Sequence, residues 1–218
     1  MQLAVSYPQC SPADIRSAEI LASVRQTFVE KGFDGASMQD LARAAGMSVG
    51  NFYRYFPSKA AIIQALILHD AAEIQRDFSL ILTSPTPLAT LRNSIHIRVM
   101  SDECTEDMSL WTEIEAATRR SPEIAFAAQK MESEVLGNFL AVFAAETEMS
   151  IAEAIRHFSA PASFVLVMVK AASCLSFGST LDQSTVRSMI LRSIDQTLDD
   201  IAAYRATCTE VRSTASTI

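Results

Sequence analysis

Apolar residues recur every three to four positions along nearly the whole chain, and no segment shows the two-residue alternation of a strand. The pattern predicts an all-α protein. Ser11-Pro12-Ala13-Asp14 is a strong helix start, with a Ser cap, Pro at the first helical position and an acid at the third. Ala18, Leu21, Ala22, Arg25, Phe28 and Val29 then form a core stripe that ends at Gly32. Ser37 opens a short second helix, with Asp40 placed as in a capping box and Met38, Leu41, Ala42 and Ala45 on one face. At Gly46 a tight turn costs little. Ser48 caps a third helix, Val49 to Tyr55, whose Val49, Phe52 and Phe56 close onto the second. Pro57 ends it, and Ser58 caps a long helix running to about Leu82, stopped by Ser84-Pro85-Thr86-Pro87. Further helices are predicted at about 88–101, 104–119, 122–146, 150–158, 161–177 and 184–206, with a frayed tail from Ser213.

The segment Gly35 to Lys59 stands apart from this amphipathic background. Two short helices about a tight turn, with a small apolar interior and a polar outer face, have the build of a helix-turn-helix DNA reader, the plainer alternative being a helical hairpin with surface tyrosines. Gly50 lies inside a helix, where it costs about 0.5–1 kcal/mol relative to Ala, and its missing side chain suits close approach to another backbone. Tyr53 and Tyr55 flank Arg54, and one short helix cannot bury so many polar-tipped aromatics. Tyr and Ser hydroxyls and Lys suit phosphates, while Asn, Gln and Arg can read base edges.

From about Ala18 to Leu66 the chain resembles the N-terminal domain of the tetracycline-repressor (TetR) family of bacterial transcription regulators. Phe28, Gly32-Phe33, Ser37, Leu41-Ala42, Ala45-Gly46-Met47-Ser48, Gly50, Phe52-Tyr53, Tyr55-Phe56 and Ser58-Lys59 carry the resemblance without a gap. Met47 departs from the usual Val, and Pro57 from a usual polar residue, while Tyr55 stands where His or Tyr is usual. The resemblance implies that Ser37, Tyr53, Tyr55 and Lys59 hold phosphates. It implies that Gln39, Val49, Gly50, Asn51 and Arg54 face base edges, and that Arg43 does either. Ser48, at the start of the third helix, counts among the DNA-binding positions.

The same resemblance implies an N-terminal three-helix DNA-binding domain over 11–60 and a C-terminal helical effector-binding and dimerisation domain over 61–208. A homodimer would form through the helices at about 161–177 and 184–206. The first of these is apolar nearly all round, including Phe164, Val165, Leu166, Val167, Met168, Val169, Leu175 and Phe177, which calls for burial on several sides. The second carries a stripe of Val186, Ile190, Ile194, Leu198, Ile201 and Tyr204. Between reader and dimer the family places a small-molecule cavity. The candidate lining residues are His96, Met100, Trp111, Glu115, Phe126, Phe139, Phe164 and Met168, joined by Val99, Ile114, Thr118 and Met131. Trp111, the single Trp, with Glu115 one turn away, leads that set.

Charge sharpens the division. Residues 11–60 hold six Lys or Arg against five Asp or Glu, whereas 61–218 hold twelve against twenty, so the net −7 belongs to the second part. A near-neutral reader binds DNA weakly as a single copy, which favours a dimer on a palindromic double-stranded operator. Cys10, Cys104, Cys174 and Cys208 show no metal-ligand spacing and suit a reducing cytoplasm. No secretory signal is legible, and the apolar run Ala162 to Phe177 is too short to span a membrane and contains Lys170. His69, His96 and His157 are widely spaced, with no nucleophile motif or phosphate loop, and no catalytic residue, cofactor or metal is expected. The expectation is a cytoplasmic, effector-responsive transcriptional regulator, most simply a repressor released by an apolar or amphipathic compound. The alternatives are a small-molecule or protein-binding module without DNA regulation and an all-helical enzyme.

Overall fold

The structure is a computed structural model that describes residues 12–101, 104–173, 175 and 182–215, with the backbone alone for 12–17, 104–109, 173 and 205–215. Its regular structure is helical throughout, and no strand occurs among the described residues. The helices are α1 (Pro12–Gly35), α2 (Met38–Ala44), α3 (Val49–Tyr55), α4 (Lys59–Thr83), α5 (Pro87–Met100), α6 (Cys104–Thr118), α7 (Pro122–Thr147), α8 (Ile151–Ser173) and α9 (Gln183–Ala215). Ser11, Cys10, Cys174 and Phe177 lie outside the described residues, as do the side chains of Cys104 and Cys208.

Local chemistry accounts for most boundaries. Ser48 accepts from the Asn51 N–H, Ser58 from Ala61 and Ser121 from Ile124, each satisfying an N–H that its own helix leaves unpaired. Ser150 and Glu153 form a reciprocal capping pair at the start of α8. Gly46 takes a φ of 63° between α2 and α3, in the left-handed region that glycine enters cheaply.

Three expectations fail. The helices drawn at 150–158 and 161–177 are one, α8, which passes straight through Pro161. Proline inside a helix costs about 3 kcal/mol, but Ala154, Phe158, Ala162 and Val165 form one buried stripe across it, and packing on both sides outweighs the lost hydrogen bond. The first helix does not end at Gly32. It breaks there, at φ 70° and ψ 165°, a conformation essentially confined to glycine, and resumes to Gly35. The last helix continues to Ala215, into the segment read as a frayed tail.

Buried side chains form two cores. The reader-side core joins Ile20, Leu21, Val24 and Phe28 of α1 to Leu41, Phe52, Phe56, Ile62, Ile63, Leu66 and Ile67, and takes in Leu110, Ile114, Ala117, Ile124 and Ala127 from α6 and α7. The second core joins Phe78 and Ile81 of α4 to α5, the later part of α7, α8 and α9, around Phe139, Phe143 and Phe158. Helices α4 and α7 therefore run side by side in the same direction, each beginning in one core and ending in the other. Between the cores lies a waist: no side chain from Leu68 to Asp77, or from Ala128 to Glu134, is fully buried. Polar ties cross it, including Asn138 Nδ2 donating to Gln75 Oε1 at 3.1 Å.

Candidate nucleic-acid interface

The reader is built from its caps outward. Asp40 Oδ2 accepts from the Ser37 N–H at 3.0 Å and the Ser37 hydroxyl at 2.6 Å, while Ser37 Oγ accepts from the Asp40 N–H at 3.1 Å. Lys31 Nζ donates to the same carboxylate at 2.7 Å, tying α1 to α2. The bond from Lys31, and after it the bonds from Ser37, hold the Asp40 carboxyl far below the usual carboxylate range. This arrangement revises the expectation for Ser37. A serine hydroxyl has one proton to donate, and Ser37 directs both its O–H and its N–H to Asp40, leaving neither for a phosphate in this state. Ser48 caps α3 through an acceptor lone pair, a role that does not consume its hydroxyl proton.

Helix α3 is anchored by Phe52 alone, which is fully buried and meets Phe56 with ring centroids 5.6 Å apart. Val49, Gly50, Asn51, Tyr53, Arg54 and Tyr55 are all exposed, as are Gln39 and Arg43 on α2. Nothing lies within 4 Å of where a Gly50 side chain would begin, so the bare position is open to a partner from outside the fold. Every residue expected at base edges is thus exposed to solvent.

Lys59 is placed differently from the other expected phosphate residues. Its Nζ donates to the carbonyls of Phe33 at 2.8 Å and Asp34 at 3.2 Å and sits 5.0 Å from the Phe33 ring centroid. Two of its three ammonium protons are engaged within the fold, so one remains for a phosphate.

The residues expected to line a cavity divide between the two cores and the surface. Phe139 is buried in the second core, with Met168 packed against it, whereas Trp111 and Met131 pack against the reader-side core. Val99 and Ile114 are buried in opposite cores. Phe126 is 71% exposed, and Met100, Glu115 and Phe164 also face solvent. Glu115 lies one turn from Trp111 but on the outer face of α6. His96 Nε2 lies 2.9 Å from Asp195 Oδ1 on α9, a carboxylate it shares with Arg92 at 2.8 Å, which makes it an α5–α9 tie. Thr118 bonds the Glu115 carbonyl at 2.7 Å, within its own helix.

One group has metal-compatible donors. His69, Asp70 and Glu73 bring ligand atoms within 4.8 Å of one another on α4. Arg25 of α1 already engages the same Asp70 oxygen that faces His69, and a cation there would meet that guanidinium, so we read the group as an ion-pair tie between α1 and α4. Sequence reasoning also missed Glu113 of α6, whose carboxylate accepts the Phe33 N–H at 3.0 Å, and Arg120, 3.2 Å from Asp34.

Residues 20–66, which hold the reader from α1 to α4, match the family described as bacterial regulatory proteins, tetR family. The match covers the reader and marks this part of the chain as similar to the tetR family. Over 51 residues it is 45% identical to the HTH-type transcriptional regulator UidR of Escherichia coli (strain K12), covering 23% of this chain and 26% of that protein. Over 54 residues it is 46% identical to the HTH-type transcriptional regulator EthR of Mycolicibacterium smegmatis, covering 25% of each. These matches span about a quarter of the curated relatives' length. Beyond the reader, likeness is carried by the fold. GusR of Salmonella enterica aligns over 84% of this chain and 97% of its own, at 25% identity and a TM-score of 0.62. A TetR transcription regulator from Haloarcula marismortui aligns over 85% and 97%, at 12% identity and a TM-score of 0.67, which shows the fold alone. Among the described residues no single helix is long and apolar enough to cross a membrane.

Proposed function

We propose that this chain is a DNA-binding transcriptional regulator of the TetR family, acting as a repressor in the cytoplasm. One observation carries the reading: α3 exposes six of its seven residues, Asn51, Tyr53, Arg54 and Tyr55 among them, around a single buried anchor, Phe52. A helix kept only for packing has no reason to hold its tyrosines, Arg54 and a bare Gly50 in solvent. Tyr53, Tyr55, Ser48 and the remaining proton of Lys59 hold phosphates, while Gln39, Arg43, Val49, Gly50, Asn51 and Arg54 face the groove. A homodimer through α8 and α9 would set two copies of α3 about one helical turn apart, roughly 34–36 Å, on a palindromic operator. Exposed Phe164, Val167 and Met189 on those helices support that face. An apolar or amphipathic effector bound in the second domain would favour a state with another reader spacing. The half-buried Trp111, Met131 and Met168 are its remaining candidate contacts.

Selection of binding sites from random duplex DNA tests the reading. The wild type is expected to enrich a palindrome, and Asn51→Ala to alter the consensus while Tyr53→Phe weakens all sequences alike. No enrichment by the wild type would overturn the DNA-binding reading, and an unchanged consensus for Asn51→Ala would overturn the base-edge assignment.

A further inference from the structure

The broken end of α1 is gripped from two sides. At Gly32 the backbone leaves the helix, so the Phe33 N–H loses its partner in the preceding turn. The Glu113 carboxylate of α6 takes its place, accepting that N–H at 3.0 Å. The Phe33 carbonyl accepts from Lys59, the first residue of α4, at 2.8 Å. One peptide residue is therefore clamped at its N–H by α6 and at its C=O by α4, and the next residue is held by both Lys59 and Arg120. The segment so fixed runs directly through Ala36 into the Ser37 cap of α2. A carboxylate accepting from a backbone N–H forms a charge-assisted bond, stronger than a neutral pair. Gly32 is needed here for its backbone and not for space: a side chain would be strained at φ 70°, although its first atom would stand at an ordinary contact distance of 3.7 Å from a Glu113 oxygen.

We infer that Glu113 is a positioning residue of the reader, which fixes the angle of α2 and α3 from α6 by holding the Phe33 N–H. It touches no DNA, and it makes α6 a determinant of how the recognition helix is presented. The inference rests on the DNA-binding reading for its consequence, but the clamp itself is testable without DNA.

Amide exchange and DNA binding of the full chain decide it, with Glu113→Ala and Glu113→Gln. Glu113→Ala should speed exchange at Phe33 roughly tenfold, the worth of one charge-assisted hydrogen bond, while Leu41 and Phe52 stay protected. Its affinity for the DNA selected by the wild type should fall at least about fivefold, with the same consensus and the same salt slope. Glu113→Gln keeps an acceptor oxygen and should restore most of both. Wild-type exchange at Phe33 in Glu113→Ala would overturn the clamp. Equal loss of protection at Leu41 and Phe52 would reduce Glu113 to general support and overturn the positioning role, as would a changed salt slope or failure of Gln to rescue. If the wild type binds no DNA at all, the functional reading falls, and the exchange result still judges the clamp.

Discussion

The two cores of this protein solve different problems. The second core is layered in aromatics: Phe139 lies 5.5 Å from Phe78 and 6.3 Å from Phe143, which lies 6.2 Å from Phe158. It stabilises by area and shape. The reader-side core is aliphatic apart from Phe28, Phe52 and Phe56, and its short elements depend on polar fixings at their ends. Ser37–Asp40, Lys31–Asp40, Ser48, Ser58, Lys59–Phe33 and Glu113–Phe33 all belong to it. Helices of seven residues cannot persist through local propensity, so their ends must be fixed individually. The contrast teaches that orientation in the reader is held by hydrogen bonds, and bulk in the second core by packing. Among the described residues, α4 and α7 are the helices that place buried side chains in both cores.

The sharpest way to break the contrast is to hollow each core in turn. Phe143→Ala should cost about 3–5 kcal/mol, and Phe52→Ala a similar amount. The first should lower the melting temperature of the second core while Leu41 and Phe52 amides keep their protection. The second should abolish DNA binding while Phe143 keeps its own. Calorimetry with residue-resolved exchange checks both, and simultaneous loss in either variant would show one cooperative unit rather than two.

A smaller effect tests the outer face of the second core. Val167 and Met189 are 54% and 58% exposed, so Val167→Asp with Met189→Asp should leave the fold intact. Buried in a dimer, the new charges should weaken association by about a hundredfold. Light scattering across a concentration series is expected to show a dimer for the wild type and a monomer for the variant.

The smallest effect concerns the polar fixings. Ser37→Ala should cost about 1 kcal/mol near neutral pH through the lost cap. Bonds from Lys31 and then Ser37 depress the folded-state carboxyl of Asp40. A depressed carboxyl stabilises fully above its unfolded value, about 3.9, and that contribution is lost as pH falls through the folded one. Melting curves of wild type and Ser37→Ala should therefore differ most near neutrality and draw closer in strong acid, where only the bond from the Asp40 N–H to the serine oxygen still separates them. A constant gap across the range would show that the cap acts without the carboxylate.

What was legible in the sequence was local. Ser37, Gly46, Ser48 and Ser58 each act on an N–H or a φ within three residues, and each was found where the chain predicts it. What was not legible depends on distance. Phe33 and Glu113 are 80 residues apart, and a surface-type Glu on an amphipathic helix gives no sign of the amide it will meet. Pro161 carries a strong local signal for a break, which long-range burial of Phe158 and Val165 overrode. The cavity candidates were chosen by residue type, and type does not say which core a helix face will join. Trp111 and Phe139 ended in different ones.

The single anchor of α3 has one more consequence. Because Phe52 alone is buried, the other six positions of the helix are nearly free of the fold's stability, and exposed substitutions commonly change it by no more than about 0.5 kcal/mol. What this helix recognises can therefore be rewritten without rebuilding what holds it. A duplicated copy of this chain could drift to a new target sequence one residue at a time, remaining folded at every step.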